Sequence, residues 1–453
     1  MKTNLILFVV LLTSIATFSQ KQWTLKECVD YALENNITIK QNKLNVETSE
    51  LEVINAKGNF LPNLNGSASQ SFNFGSFLGQ DGARISRNTR GNGFGLSSST
   101  TLFNGFINLN TYKQAKLGVE GSKLDLEQIE NDISLNVVNG YLNILFAKEN
   151  LNAAKIQAEI SEKQIESAEK RFNAGAIAKG ELLNTQSTAA SDLQNVIATQ
   201  NALDLALLNL AQILQVPAKN FDIFPIDVGT PSETLLYDAA DFIYEKALLN
   251  RPEIEKAKLN LEQSDLSIEI SKGRFFPTLS FGVGLNTSYQ TILGEKDVRL
   301  IQQPDGSFIT QPNGFFTQLD NNLGYNFGLN LSIPIFNRNQ TKVNVSKSKI
   351  NREISETRLQ NEKIQLKQTI EKAYLDTRAA AKSYEAAKIS LEAQKEAFKN
   401  AQERYNYGAI TLFDFDLVRT RLVNAESLMI RSKYDYVFKT KVLQFYSGEL
   451  VLE

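Results

Sequence analysis

The sequence predicts an α+β membrane protein. Its β-barrel closes by pooling four strands from each of several copies, and it continues into a long α-helical barrel. Three observations carry this reading. One stretch alternates strictly between apolar and small or polar residues over a length that suits a bilayer. Two proline-free helical stretches are too long for any globular domain. And the whole order of elements occurs twice.

The alternating stretch is Asn322 to Phe336. Leu323, Tyr325, Phe327, Leu329, Leu331, Ile333 and Ile335 fall on one face, and Asn322, Gly324, Asn326, Gly328, Asn330, Ser332 and Pro334 on the other. A period of two is a β-strand with unlike faces. Soluble strands usually run about 5–6 residues, whereas a tilted membrane strand needs roughly 9–11, apolar towards lipid and polar towards a lumen. A strand across 322–336 is therefore predicted to lie in a membrane.

The same pattern recurs at Leu279 to Tyr289, where Leu279, Phe281, Val283, Leu285 and Tyr289 share a face. It recurs more weakly over 64–74 and 94–103. That makes four expected strands: about 64–74, 94–103, 278–289 and 322–336. Phe72, Phe74, Phe103, Tyr289, Tyr325 and Phe336 are placed to form aromatic girdles. Arg84, Arg87 and Arg90 fall in the expected loop between the first two strands.

The duplication is read from punctuation. Gly58 and Pro62 end a first helical segment, and Gly273 and Pro277 end its counterpart. Phe103-Asn104 answers Phe336-Asn337, and the turn RFNAGAI (171–177) answers RYNYGAI (404–410). Between these marks run proline-free stretches over 109–172 and 342–405. At 1.5 Å per residue each would span about 100 Å, the length of a coiled-coil-like rod. The expected organisation is a leader over 1–19, a first repeat over 20–215, a proline-rich belt over 216–236 and a second repeat over 237–453.

The leader begins with Lys2, continues through an apolar run from Leu5 to Leu12, and ends in small residues before a cleavage site near Ser19–Gln20. These are the marks of an exported chain. Four strands cannot close a barrel, and open sheet edges do not survive in lipid. Two copies would give eight strands, a barrel usually filled by side chains, while three give twelve and room for a channel. Three is the simpler solution for a conduit.

Composition removes several function classes. The chain has 48 basic and 50 acidic residues, so no basic surface argues for nucleic acid. With no histidine, His-based triads and HExxH zinc sites are excluded. Gly93/Gly95 and Gly282/Gly284 do not complete a GxGxxG phosphate loop and lie in strand patterns. The single cysteine, Cys28, sits in a helical pattern rather than behind a lipidation box. Only Met1 and Met429 are methionines, so no methionine- or histidine-lined metal path is visible. No catalytic group, metal site or cofactor is expected.

In its paired glycine and proline stops, its Phe-Asn exits and its RF/YNxG turns, the chain resembles the outer-membrane efflux protein family of TolC-like outer-membrane factors. The resemblance covers essentially the whole mature chain. It implies a homotrimeric outer-membrane channel with a periplasmic tunnel. Such a channel passively conducts cargo received from a periplasmic adaptor protein and an inner-membrane pump, in efflux or type I secretion.

Carried over position by position, the resemblance places Asp414 in an acidic ring at the tunnel entrance. The family's second acidic position falls on Leu417, with Asp416 beside it. Tyr405 falls on a latch tyrosine and Glu181 on its acidic partner, whereas the latch arginine is replaced by Ile410. The small tips Gly175, Ala176, Gly408 and Ala409 fall where an adaptor docks. The rival reading is an exported structural or adhesive coiled coil with a small β-head, which needs neither lipid-facing strands nor a duplicated order.

Overall fold

The computed structural model describes residues 22–78, 82–226 and 239–449, together with 229, 231 and 237. The leader expected over 1–19 and much of the belt after residue 226 lie outside these residues. Among the described residues no helix is long and apolar enough to cross a membrane.

The two halves run in parallel, element by element. Helices α1 (Leu25–Asn35) and α2 (Ile37–Gly58) open the first. Strands β2 (Asn65–Asn73), β3 (Ser76–Leu78), β4 (Arg84–Ser86) and β5 (Thr89–Phe103) follow, then α3 (Ile107–Asn173) and α4 (Lys179–Leu214). A two-residue strand β1 (Gln22–Trp23) precedes them and pairs in parallel with β6 (Asp222–Ile223).

The second half has α5 (Ala240–Asn250), α6 (Pro252–Gly273), β7 (Thr278–Ile292), β8 (Val298–Gln302) and β9 (Phe308–Pro312). It closes with a short α7 (Phe315–Asn321), β10 (Gly324–Ser332), α8 (Gln340–Asn406) and α9 (Leu412–Ser447). Corresponding helices match in length: 11 residues in α1 and α5, 22 in α2 and α6, 67 in α3 and α8, and 36 in α4 and α9. The tandem repeat is thus explicit in the backbone.

The chain divides into two compact units. One comprises residues through 45, 122–258 and those from 358 onward; the other is 46–121 with 259–357. In the first, the largest core gathers Val29 and Ala32 of α1, Val137, Tyr141 and Ile144 of α3, and Leu210 and Leu214 of α4. Cys28 is fully buried there, packed as a small apolar residue. A second core joins Ile243 and Ala247 of α5 to Ile254 of α6, Ile370 of α8 and Leu443 of α9.

The other unit holds one four-stranded antiparallel sheet in the order β10-β7-β5-β2. Its register sorts the side chains. Tyr325, Leu285, Leu96 and Gly66 form one cross-strand row, and Phe327, Val283 and Ser98 the next on the same face. With Phe281, Leu329, Leu279 and Leu331 they make an apolar outer face, and Phe327 is 78% exposed in the single chain. The opposite face pairs Asn326, Gly284, Ser97 and Asn65, then Gly324, Asn286, Gly95 and Ser67. It is polar and carries no charged side chain.

The strands differ from the expected ones at their ends. β10 stops at Ser332, short of the expected 336, because its partner β7 begins opposite at Thr278 and Pro334 has no N–H to extend the ladder. β5 starts at Thr89 rather than 94, since β7 runs on to Ile292 and pairs with it throughout. Arg90 therefore lies in a strand, not in a loop. Tyr289 is not a lipid-exposed girdle residue: it is 4% exposed, covered by Phe315 of α7 at 5.0 Å between ring centroids. Phe336 falls beyond the end of β10.

Helices α3 and α6 come close at Gly105, whose φ of 67° lies in the left-handed region. A Cβ there would sit 2.2 Å from the carbonyl oxygen of Gly273. Both the backbone angle and the contact demand glycine. Gly105→Ala is expected to lower the midpoint of thermal unfolding in detergent and the yield of membrane-assembled protein. Gly118→Ala, at a helical position with open space around it, should leave both unchanged.

Candidate gate and tips

Each long helix ends in the same way. Gly175 (φ 72°) follows α3, with its N–H on the Phe172 carbonyl at 2.9 Å and the Ala176 N–H on the Arg171 carbonyl at 2.8 Å. Gly408 (φ 70°) follows α8, with its N–H on the Tyr405 carbonyl at 3.0 Å and the Ala409 N–H on the Arg404 carbonyl at 2.7 Å. This pair of bonds is the Schellman closure, which a left-handed glycine permits without strain. It turns the chain within a few residues and leaves Gly175 and Gly408 open, with nothing within 4 Å of where a Cβ would stand.

The return helices begin differently. Ala178 caps α4 without a side-chain bond. Thr411 caps α9 through a capping box: its hydroxyl accepts from the Asp414 N–H at 3.2 Å and donates to the Asp414 carboxylate at 2.7 Å. Asp414 thus holds the helix start and remains exposed to solvent. Its charge also faces the positive end of the helix dipole.

Glu181 and Tyr405 are brought together. The Tyr405 hydroxyl donates to the Glu181 carboxylate at 3.2 Å, across the two halves. Its ring stacks on Phe415 at 4.9 Å and carries the Arg171 guanidinium above it at 5.3 Å. Burial raises the Tyr405 phenol above its ordinary pKa, and the neighbouring Glu181 carboxylate adds to that, so it remains a donor.

Asp416 belongs to a different constellation, one that the sequence pattern does not reveal. Arg419 is only 5% exposed at its side chain and lies 3.8 Å from Asp416. It pairs with Asp192 of α4 and donates to the Ser161 hydroxyl of α3 at 2.5 Å, while Ser161 itself donates to Asp192. With its amide turned, Gln157 accepts from the same guanidinium. Three helices are joined through one arginine. Burial holds the Asp416 carboxyl above the usual carboxylate range, Arg419 opposes this and Asp192 reinforces it. One signal was present: Arg419 stands four residues after buried Phe415, in the stripe of α9 that faces inward.

The sequence pattern of the outer membrane efflux protein family matches residues 28–215 and again 243–449. The chain belongs to the outer membrane efflux protein family, and the two matches fall on its two repeats. Among characterised relatives, outer membrane protein TolC of Escherichia coli (strain K12) is 24% identical over 340 residues. That alignment covers 72% of this chain but only 63% of the relative's length. Cation efflux system protein CusC of the same strain is 21% identical over 426 residues, covering 89% of this chain and 82% of that one. The solved Campylobacter jejuni CmeC outer membrane channel superposes with a TM-score of 0.74 at 23% identity, covering 95% of this chain and 86% of its own. The fold is therefore that of the outer-membrane channels.

Two outcomes test the Arg419 cluster. Arg419→Met leaves the Asp192 charge without its partner, and should cost about 3 kcal/mol or more of stability, seen as a lowered unfolding midpoint in detergent. Adding Asp192→Leu should recover most of that loss, because an apolar pair replaces a buried ion pair at little cost. For Asp416, the folded pKa is raised, so the unfolded chain ionises first as pH rises and stability falls through the window between the two values. The midpoint of Asp416→Asn relative to the parent protein should accordingly climb as pH increases from acid towards neutral.

Proposed function

We propose that three copies of this chain pool their strands into a twelve-stranded outer-membrane barrel. This barrel passively conducts cargo delivered by a periplasmic adaptor and an inner-membrane pump. The observation that carries the reading is the sheet itself: among the described residues, β2 and β10 each pair on one side only. An open edge is untenable in lipid. Because the strands alternate in direction across β10-β7-β5-β2, setting β2 of one copy beside β10 of the next continues the antiparallel order and closes a ring head to tail. The apolar face then meets lipid, and the neutral face of Gly, Ser and Asn lines the passage. Apolar stripes on the long helices find their partners on neighbouring copies.

Asp414, exposed at the start of α9, supplies an acidic ring at the entrance in this reading. Asp416 stands beside it as a second acidic residue of the entrance, 3.8 Å from Arg419. The Tyr405–Glu181 bond ties the second tip to the first return helix and acts as part of the gate. Gly175, Ala176, Gly408 and Ala409 offer two small, open turns for the adaptor. The Ile410 position lacks a charge, so the latch is built without an arginine there.

Single-channel conductance in planar bilayers is the direct test, comparing the parent protein with Asp414→Asn, which keeps a capping side chain and removes its charge. The expected result is stable insertion with a cation-preferring current that loses its preference in the variant. Unchanged selectivity would place the filter elsewhere. Failure of the protein to insert, with a mass of one chain in detergent, would remove the channel reading.

A further inference from the structure

The segment between β9 and β10, which carries no helical periodicity in the sequence, folds into α7, which caps the edge of β7 beyond the last pair with β10 and lays Phe315 on the apolar face of the sheet. Its attachment is specific. The Gln318 side chain accepts from the Gln290 N–H at 3.0 Å and donates to the Asn313 carbonyl at 2.8 Å. The Thr287 hydroxyl donates to the Leu319 carbonyl at 2.6 Å, and the Asn322 amide to the Ser288 carbonyl at 2.7 Å. Phe315 packs edge-on against Tyr289 at 5.0 Å and Phe94 at 6.2 Å. Thr287 and Phe94 are cross-strand partners, and both they and Tyr289 lie on the same outer face as Leu285 and Phe327.

The position of α7 along the strands is equally defined. From Leu279 to Tyr289 the outer face of β7 is apolar but for Thr287, whose hydroxyl is taken up by α7; beyond it come Thr291, its partner Arg90, and Asp297, which accepts from the Tyr289 hydroxyl at 2.5 Å. Ten residues of strand rise about 33 Å, and at the usual barrel tilt that is a band about 25 Å high, the height of the apolar belt of such barrels. α7 sits at the upper margin of this band, at the loop end of the sheet. Phe315 turns inward and covers Tyr289, while its neighbour Phe316 is 82% exposed.

We infer that α7 is a membrane-interface element, with Phe316 inserted among the lipids of the outer leaflet at headgroup level. This rests on the reading that the apolar face of the sheet meets lipid. The aromatic position that Tyr289 vacates by being covered is thereby taken over by Phe316, one layer further out. Continuity with the apolar band names the occupant: an exposed phenyl ring at its margin matches the aromatic belts that mark membrane–water boundaries.

The chain has one tryptophan, Trp23, so a Trp23→Phe background allows a single emitter to be placed at will. Phe316→Trp and, in mid-band, Phe327→Trp would be reconstituted in phosphatidylcholine vesicles whose acyl chains carry bromine near the headgroup or near the bilayer centre. Phe316→Trp is expected to emit at short wavelength and to be quenched most by bromine near the headgroup, and Phe327→Trp most by deep bromine. Short-wavelength emission from Phe316→Trp without quenching means that protein covers it, and water-like emission means that it stands in solvent; either overturns the inference while a quenched Phe327→Trp preserves the lipid-facing sheet. If neither is quenched, both readings fall. Should the tryptophan variant not assemble, a nitroxide at Phe316→Cys in a Cys28→Ala background reads the same depth by its accessibility to oxygen against an aqueous nickel chelate.

Discussion

Backbone hydrogen bonding at the edges of one sheet constrains everything else in this molecule. Among the described residues, strands β5 and β7 are paired on both sides, while β2 and β10 are paired on one. In water such an edge is a hazard; in hydrocarbon each orphaned amide costs several kcal/mol. The proposed ring of copies pairs these edges. In the proposed assembly the chain's apolar strand face, largely exposed in a single copy, meets lipid, and the apolar residues exposed on its helices meet neighbouring copies.

Duplication supplies the means. Matched helix lengths and matched glycine closures give each copy two similar halves, so the proposed ring of copies has nearly equivalent columns. The halves diverge at the return helices. α9 begins with a capping box built on Asp414, where α4 begins with an unassisted alanine. Arg419 of the second return helix then joins Asp192 of the first and Ser161 of α3, while Tyr405 at the end of α8 stacks on Phe415 and reaches Glu181 of the first return. Polar groups that would be costly unpaired are paired here, and this gives the tips one arrangement rather than several.

The two faces of the sheet answer different solvents. The inner face is neutral and small: Ser67, Ser69 and Ser71 stand opposite Gly95, Gly93 and Gly91, where an added Cβ would crowd each hydroxyl. Such a wall presents hydrogen-bonding groups without fixed charge. In the proposed assembly, charge discrimination therefore falls to the helix tips. On the outer face, Phe315 of α7 packs on Tyr289 and buries it.

Much of this was legible in the residues. Alternation marked the strands, glycine and proline marked the helix ends, and their recurrence marked the repeat, because each is a local consequence of backbone geometry. Asp414, Tyr405 and the glycine turns could be placed by motif. What the sequence did not determine was which distant groups meet. Strand order sets which residues share a face, and it arises from pairings between halves, such as β5 with β7. The Arg419 cluster joins Ser161 to Arg419 across 258 residues of sequence, and a charged residue within an apolar stripe does not announce its partner. α7 was invisible for the same reason: a seven-residue helix is too short to be stable by itself, and the edge of β7 together with the outer face of the sheet, assembled from both halves of the chain, holds it in place.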